Sequence, residues 1–429
     1  MTTLRGSSSP KENDNDITLR TNAMLYDDYN LHNFKHPSLI SGSKDIRIQL
    51  PPPRVGQHRP NVDAVFCVAR GYSVEVLARF VGSLLETGFT GDIVLAVMPF
   101  RNTSRRNQQI REFLQYHAEH HNVVAYEMDL ECARKGWRHC KSINFFKNVV
   151  TNEYVADVRE HRDVSQLRYE YYWAWSQFYG RNTRIFVTDG RDVYFQHNPF
   201  DFLSSSGDSM DQTLVGIVED PEIIIETEVA NNGWILHAAG GEGKGERILH
   251  QIQKKSPLCS GTTLGGKMAM ESYLRAMIQS YDENPCTLKG CDQGYHQILF
   301  YTGRLQQSPD IGPIILPPKE GDVPAILSLA ASPRIQNIEY FAQGSSFVST
   351  LAMYCIYHQP LRAFGLLDNT TNMVLNWDKS SLVAVVHQFD RCPELNAIME
   401  ERGKELLQKF HDRKAQRQQA KHPQLAQVR

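Results

Sequence analysis

The sequence predicts an α/β fold in which a mainly parallel central sheet is flanked by helices. Three observations carry that prediction. Ala64–Ala69 is an apolar run of strand length, residues 74–86 place apolar side chains at helical spacing, and Ile93–Val97 is a second apolar run. Strand, helix and strand in that order make a βαβ unit, whose two strands run parallel.

Residues 1–60 are rich in Ser, Asn, Asp and Pro, including Pro51, Pro52 and Pro53 in succession. They read as a largely irregular arm, with IRIQL at 46–50 able to pack onto the body. The body, residues 61–395, opens on the run at 64–69. Val74, Leu77, Ala78, Val81 and Leu84/Leu85 then form one face of a helix. A Gly88–Gly91 turn leads into the strand at 93–97. A helix over 103–118 and a strand at Val123–Tyr126 follow. Over 165–179, Tyr169, Tyr172, Trp173, Trp175 and Phe178 mark a helix whose rings pack on the sheet, ended by Gly180. Arg184–Thr188 is a central strand. Further strands are expected at 213–218, 233–238 and 383–387, and further helices at 244–255, 266–280 and 395–418. Residues 396–429 form a terminal helix and a basic tail.

The charge balance, 46 basic against 48 acidic residues, excludes a global attraction to nucleic acid or to an anionic membrane. The opening MTTLRGSSSPKENDNDITLR lacks the apolar stretch of a signal peptide, and no segment is apolar for long enough to span a bilayer. A protein without a transmembrane segment, cytoplasmic rather than secretory, is therefore expected. The cysteines are sparse and form no CxxC pair, so free, mostly buried thiols are expected, with a small Cys286–Cys291 loop open to a secreted chain.

The chemistry concentrates in Thr188-Asp189-Gly190-Arg191-Asp192. An apolar strand delivers two carboxylates to its carboxyl end, where open α/β sheets bind ligands. Mg²⁺ and Mn²⁺ take one or two carboxylates together with substrate phosphate oxygens. The same acids can instead satisfy turn amides, with Arg191 paired to one of them. GGEGKGERI at 240–248 is Gly-rich but lacks the Walker A spacing, and reads as a turn capping the next helix. CSGTTLGGKMAMESYL at 259–274 reads as a polar loop followed by an amphipathic helix.

DGRDVYFQHNPF, preceded by RIFVT, resembles the acidic motif of the metal-dependent glycosyltransferases of the GT-A fold. It departs from the usual form in having two residues between the acids instead of one. The resemblance implies a GT-A-like catalytic body, with Mn²⁺ or Mg²⁺ as cofactor. Asp192 is then the main metal ligand, and Asp189 sits near the donor ribose or reaches the ion through water. Asn231-Asn232-Gly233 is similar to the family's Asn-x-Gly segment, which lines the sugar pocket; an Asn-Gly turn between strands is the plain alternative. Asp292-Gln293 is similar to its D-Q segment. There Asp292 would deprotonate an acceptor hydroxyl or orient sugar hydroxyls, with Gln293 beside it; a helix N-cap is the alternative. His387, directly after a late strand, resembles the family's last metal ligand, with Asp390 and Arg391 as the alternatives. Arg191 and Arg391 would face the diphosphate. In Ala69-Arg70-Gly71-Tyr72, Arg70 would meet phosphate and Tyr72 would stack on the base.

What the resemblance implies is transfer of a sugar from a UDP- or GDP-linked donor to a hydroxyl on a glycan, protein or small molecule. The rivals are a metal-dependent phosphohydrolase or nucleotidyltransferase using the same acids, and a nucleotide-sugar-binding or scaffold protein without turnover.

Overall fold

Apolar runs bounded by turns make buried strands, and the chain alternates them with helices from residue 64 onward. The computed structural model describes residues 46–48, 50–100, 104–133, 139–148, 150–157, 159–201, 210–219, 223–316, 326–328, 367–375 and 382–421. Residues 1–45 of the expected arm, 422–429 of the tail and Cys355 lie outside them.

In chain order the first elements are β1 (Ile46–Ile48), β2 (Ala64–Val68), α1 (Val74–Glu86), β3 (Asp92–Val97), α2 (Arg105–His121) and β4 (Val123–Glu127). Short strands follow: β5 (Leu130–Cys132), β6 (His139–Ser142), β7 (Phe146–Asn148), β8 (Tyr154–Val155) and β9 (Arg162–Asp163). Then come α3 (Val164–Ser176), β10 (Arg184–Thr188), β11 (Val193–Phe195), β12 (Leu214–Val218), α4 (Val229–Ala238) and α5 (Lys244–Ile252). The remainder is β13 (Leu258–Gly266), α6 (Lys267–Glu283), α7 (Cys291–Tyr301), β14 (Ile314–Ile315), β15 (Ile326–Ser328), β16 (Val385–His387) and α8 (Pro393–Lys421).

The central sheet has seven strands in the order β14-β12-β13-β10-β2-β3-β4. Every neighbouring pair is parallel except the two made by β13, which runs against both β10 and β12. The sheet is thus mainly parallel, as expected, with one reversed strand near its middle.

Successive residues of a strand point to opposite faces, and β2 shows the result. Phe66 joins the core under α3, α6 and α7, while Val65 and Cys67 join the core under α1 and α2. Helix α1 begins at Ser73, whose hydroxyl accepts from the Val76 amide at 3.5 Å. It buries the expected Val74, Leu77, Ala78, Val81 and Leu84. In α3, Trp175 packs against Phe66 and Tyr126 at centroid distances of 5.5 and 5.6 Å, so its aromatics are core. Full burial of such rings is worth roughly 1.5–3 kcal/mol each. Phe200 is buried and stacks on Phe89 at a centroid distance of 5.7 Å. The terminal helix α8 docks on α1, with Leu406 against Gly82, and its Phe410 meets Phe113 and Tyr116 at 5.1 Å each.

Three local expectations are corrected. Residues 233–238 belong to helix α4, because the Glu228 carboxylate accepts from the Asn231 amide and starts a helix there; this also removes the Asn-Gly turn. Residues 259–266 belong to β13, buried along its whole length, and not to a loop. The thiols are not mostly free: Cys132–Cys140 and Cys286–Cys291 are disulfides and Cys392 is disulfide-bonded, leaving Cys67 and Cys259 free. No helix among the described residues is long and apolar enough to cross a membrane.

Candidate metal centre

Strand β10 ends at Thr188, and the next amide, that of Asp189, donates to the Gly261 carbonyl of β13 at 2.8 Å. The first acid is thereby fixed at the carboxyl edge of the sheet. The chain then passes Gly190, where a Cβ would lie 2.4 Å from Cys67 Sγ and 3.1 Å from the Tyr72 ring. Only glycine fits that approach. Asp192 leads into β11, which pairs antiparallel with β16 so that Val193 lies opposite His387. The Gln388 amide donates to the Asp192 carbonyl at 2.7 Å, closing the seam.

This pairing brings His387 Nε2 to 3.4 Å from Asp189 Oδ2. One ligand atom each from Asp189, Asp192 and His387 lies within 4.8 Å of the other two. Asp192 and His387 are buried and Asp189 is partly open. Two carboxylate oxygens suit Mn²⁺ or Mg²⁺, the imidazole nitrogen favours Mn²⁺ of the two, and further positions remain for water or phosphate oxygens. The electrostatics fit too. Burial, and then the like charge of Asp189, raise the Asp192 carboxyl above the ordinary range, a strain that a cation relieves. The three residues therefore fit such an ion.

Room for the cluster comes from β13. A Cβ on Gly261 would fall 2.4 Å from Asp189 Oδ2 and 2.9 Å from His387 Nε2.

The other half of the centre turns on Arg168 of α3, which the sequence reading passed over. One nitrogen of its guanidinium pairs with Asp189 Oδ1, and the other meets Asp292 Oδ2 at 2.9 Å and the Ser260 carbonyl at 3.2 Å. The Ser260 hydroxyl also donates to Asp292, at 3.0 Å. Burial alone would raise Asp189, but Arg168 and His387 together outweigh it and hold the carboxyl well below the usual range. Asp292 goes the other way, because burial dominates and lifts it. The cap of α7 is Gly290, so Asp292 spends its carboxylate on Arg168 and Ser260 and not on capping. A signal for Arg168 was present in the sequence. An arginine inside a helix of buried aromatics must find buried acids.

Asn231 and Gln293 meet in a neighbouring polar cluster. Gln293 Nε2 donates to Asn231 Oδ1 at 2.8 Å and to Glu219 Oε1 at 3.1 Å, and Gln297 Nε2 donates to the same Asn231 oxygen at 2.6 Å. Glu219, at the end of β12, was not anticipated. Burial, aided by Glu228, pushes its carboxyl up to about 7. Asn232 is partly exposed, and a Cβ on Gly233 would meet nothing within 4 Å, so this edge of α4 borders open space.

The remaining candidates divide. Tyr72 lies against Gly190, and burial together with Cys67, Asp189 and Asp192 raises its phenol well above the ordinary range. Arg70 instead donates to Cys132 Sγ at 3.5 Å. Arg191 is exposed and pairs with Asp390 at 3.0 Å and Asp192 at 3.8 Å. Arg391 lies 3.7 Å from the same Asp390.

No family model matches the chain, and no curated protein matches it either. Solved structures are similar at a distance. The galactosyltransferase LgtC, in complex with donor and acceptor sugar analogs, overlays with a TM-score of 0.37 at 12% identity, over 80% of this chain and 94% of that one. Mouse xyloside xylosyltransferase 1 in its apo form gives 0.33 at 11% identity, over 59% and 85%. Core-mannan synthase A from Aspergillus fumigatus, in its Mn/GDP form, gives 0.28 at 11% identity, over 62% and 78%. These overlays are loose, and the functional reading rests on the side chains.

Proposed function

We propose that the chain is a metal-dependent glycosyltransferase, moving a sugar from a nucleoside-diphosphate donor to an acceptor hydroxyl. The observation that carries this is the convergence of Asp189, Asp192 and His387 on one point at the carboxyl edge of the sheet. A bound Mn²⁺ or Mg²⁺ would supply charge neutralisation where the diphosphate departs.

The protein's own groups do the rest. Arg168 orients Asp189 and Asp292 together, so the metal edge and the reacting edge of the site are set by one guanidinium. Asp292, lifted by burial, suits the role of proton acceptor for the attacking hydroxyl. Tyr72 borders the acids where a nucleotide base would lie, while Asn231, Asn232, Gly233 and Gln293 flank the sugar side. Arg191 and Arg391, gathered around Asp390, stand at the outer, diphosphate side. The disulfides fit an oxidising compartment better than the reducing one expected from cysteine spacing.

The test is titration of UDP and GDP with and without Mn²⁺, using the intact protein and Asp192→Ala, followed by a panel of nucleotide sugars with and without acceptors. Mn²⁺-dependent binding lost in the variant is expected. Metal-independent binding that survives the substitution would sink the proposed centre, and phosphate release from donors with no transfer would favour a phosphohydrolase.

A further inference from the structure

The thiols sort by position. Among the described cysteines, Cys132, Cys140, Cys286, Cys291 and Cys392 are in disulfides, whereas the free pair, Cys67 and Cys259, both border the metal triad. Cys67 Sγ lies against Gly190. Cys259 Sγ lies 3.3 Å from His387 Nδ1, while Nε2 of the same ring faces Asp189 at 3.4 Å.

A neutral imidazole carries one N–H and one lone pair. A ring that ligates through Nε2 must keep its proton on Nδ1, and a buried N–H needs an acceptor. His387 is 0% exposed and Cys259 1% exposed, so water does not serve that proton. We propose that Cys259 is a positioning residue of the metal centre: its sulfur accepts from His387 Nδ1–H and so holds the Nε2 lone pair on the cation shared with Asp189 and Asp192. This rests on the metal-centre reading above.

The sulfur is itself held in place. Cys259 belongs to β13, which is buried throughout and hydrogen-bonded on both sides, to β10 and β12, with Cys259 opposite Ile217. Two residues on, Gly261 leaves the gap into which the imidazole edge fits. Strand β13 thus supports the ring from Cys259 and makes space for it at Gly261.

The test is Mn²⁺ uptake, followed by electron paramagnetic resonance of the free ion, with pulsed measurement of imidazole nitrogen coupling to the bound ion. The full chain, Cys259→Ala and Cys259→Ser are compared. The native protein should bind Mn²⁺ with imidazole coupling. Cys259→Ala should bind about 10-fold or more weakly, with that coupling lost or broadened, as removal of an outer partner predicts. Cys259→Ser, which keeps an acceptor, should stay close to native in both. An Ala variant that binds as tightly as native overturns the proposal while leaving the metal centre standing, and so does a Ser variant as weak as a folded Ala variant. A native protein that takes up no Mn²⁺ overturns both together.

Discussion

His387 faces Asp189 across 3.4 Å although 198 positions of chain separate them. The antiparallel pairing of β11 with β16 is what joins them. His387→Ala should therefore weaken Mn²⁺ binding by about two orders of magnitude, at or beyond the top of the roughly 10- to 100-fold that outer partners are worth. Circular dichroism should show the fold retained. Native affinity in this variant would mean that the imidazole is not a ligand.

Metal binding should strengthen as pH rises. Burial opposes charge on His387, but Cys259 and the Asp189 carboxylate outweigh it and hold the ring's proton well above the ordinary imidazole range. In the metal-free protein that raised affinity adds stability in acid, and the contribution is lost as pH climbs through the folded pKa. A cation needs the ring neutral, so it must displace the proton. Calorimetric titration in buffers of different ionisation enthalpy should show a proton leaving with each ion bound. Binding that is flat with pH would contradict the pairing.

Removing Arg168 should cost more than removing a surface cation. Arg168→Ala takes the guanidinium from both acids and leaves the buried Asp292 with only the Ser260 hydroxyl, a loss of about 3–5 kcal/mol. Arg168→Lys should rescue only part of this, because an ammonium cannot serve two acids with a planar fork. Thermal unfolding of both variants at neutral pH checks the order, and equal melting temperatures for Lys and native would refute it.

Glu219 makes a separate forecast. Its carboxyl titrates near 7 when folded, against an ordinary value of 4.5. The folded protein thus keeps a proton that the unfolded chain releases, and stability falls as pH rises from about 4.5 to 7. The full loss is on the order of 3 kcal/mol. Glu219→Gln should flatten that part of the melting curve against pH. A variant that tracks the native profile would show that Glu219 is not the group responsible.

Gly261→Ala isolates crowding from charge. The new methyl would press on Asp189 and His387 without altering any ionisable group. Mn²⁺ affinity should drop at least about 10-fold, as expected when ligand orientation is disturbed, while the metal-free protein melts within a few degrees of native.

Periodicity made most of the scaffold readable, and the exceptions have physical causes. Helix α1 coincides with the expected 74–86, because a Ser cap and an unbroken apolar face agree. Residues 233–238 were misread because a short apolar run suits strand and helix alike, and Glu228 is not among the favoured capping residues. Strand β13 was misread because its Ser, Thr and Gly look like a loop. They are small where neighbours press close: Gly261 against His387, and Gly265 against the Thr213 carbonyl. In the site, the acids and His387 were visible from their positions at strand ends. Arg168 was signalled only as a charge inside an aromatic helix and Glu219 not at all, since the partners of each are distant in sequence.

The β11–β16 seam also sets an order of events. All seven strands of the main sheet precede β16 in the chain. During synthesis the sheet and its acid pair can assemble while His387 has yet to leave the ribosome. A nascent chain would carry both acids on a formed sheet before the imidazole could join them, and the cluster would be complete only when β16 pairs with β11.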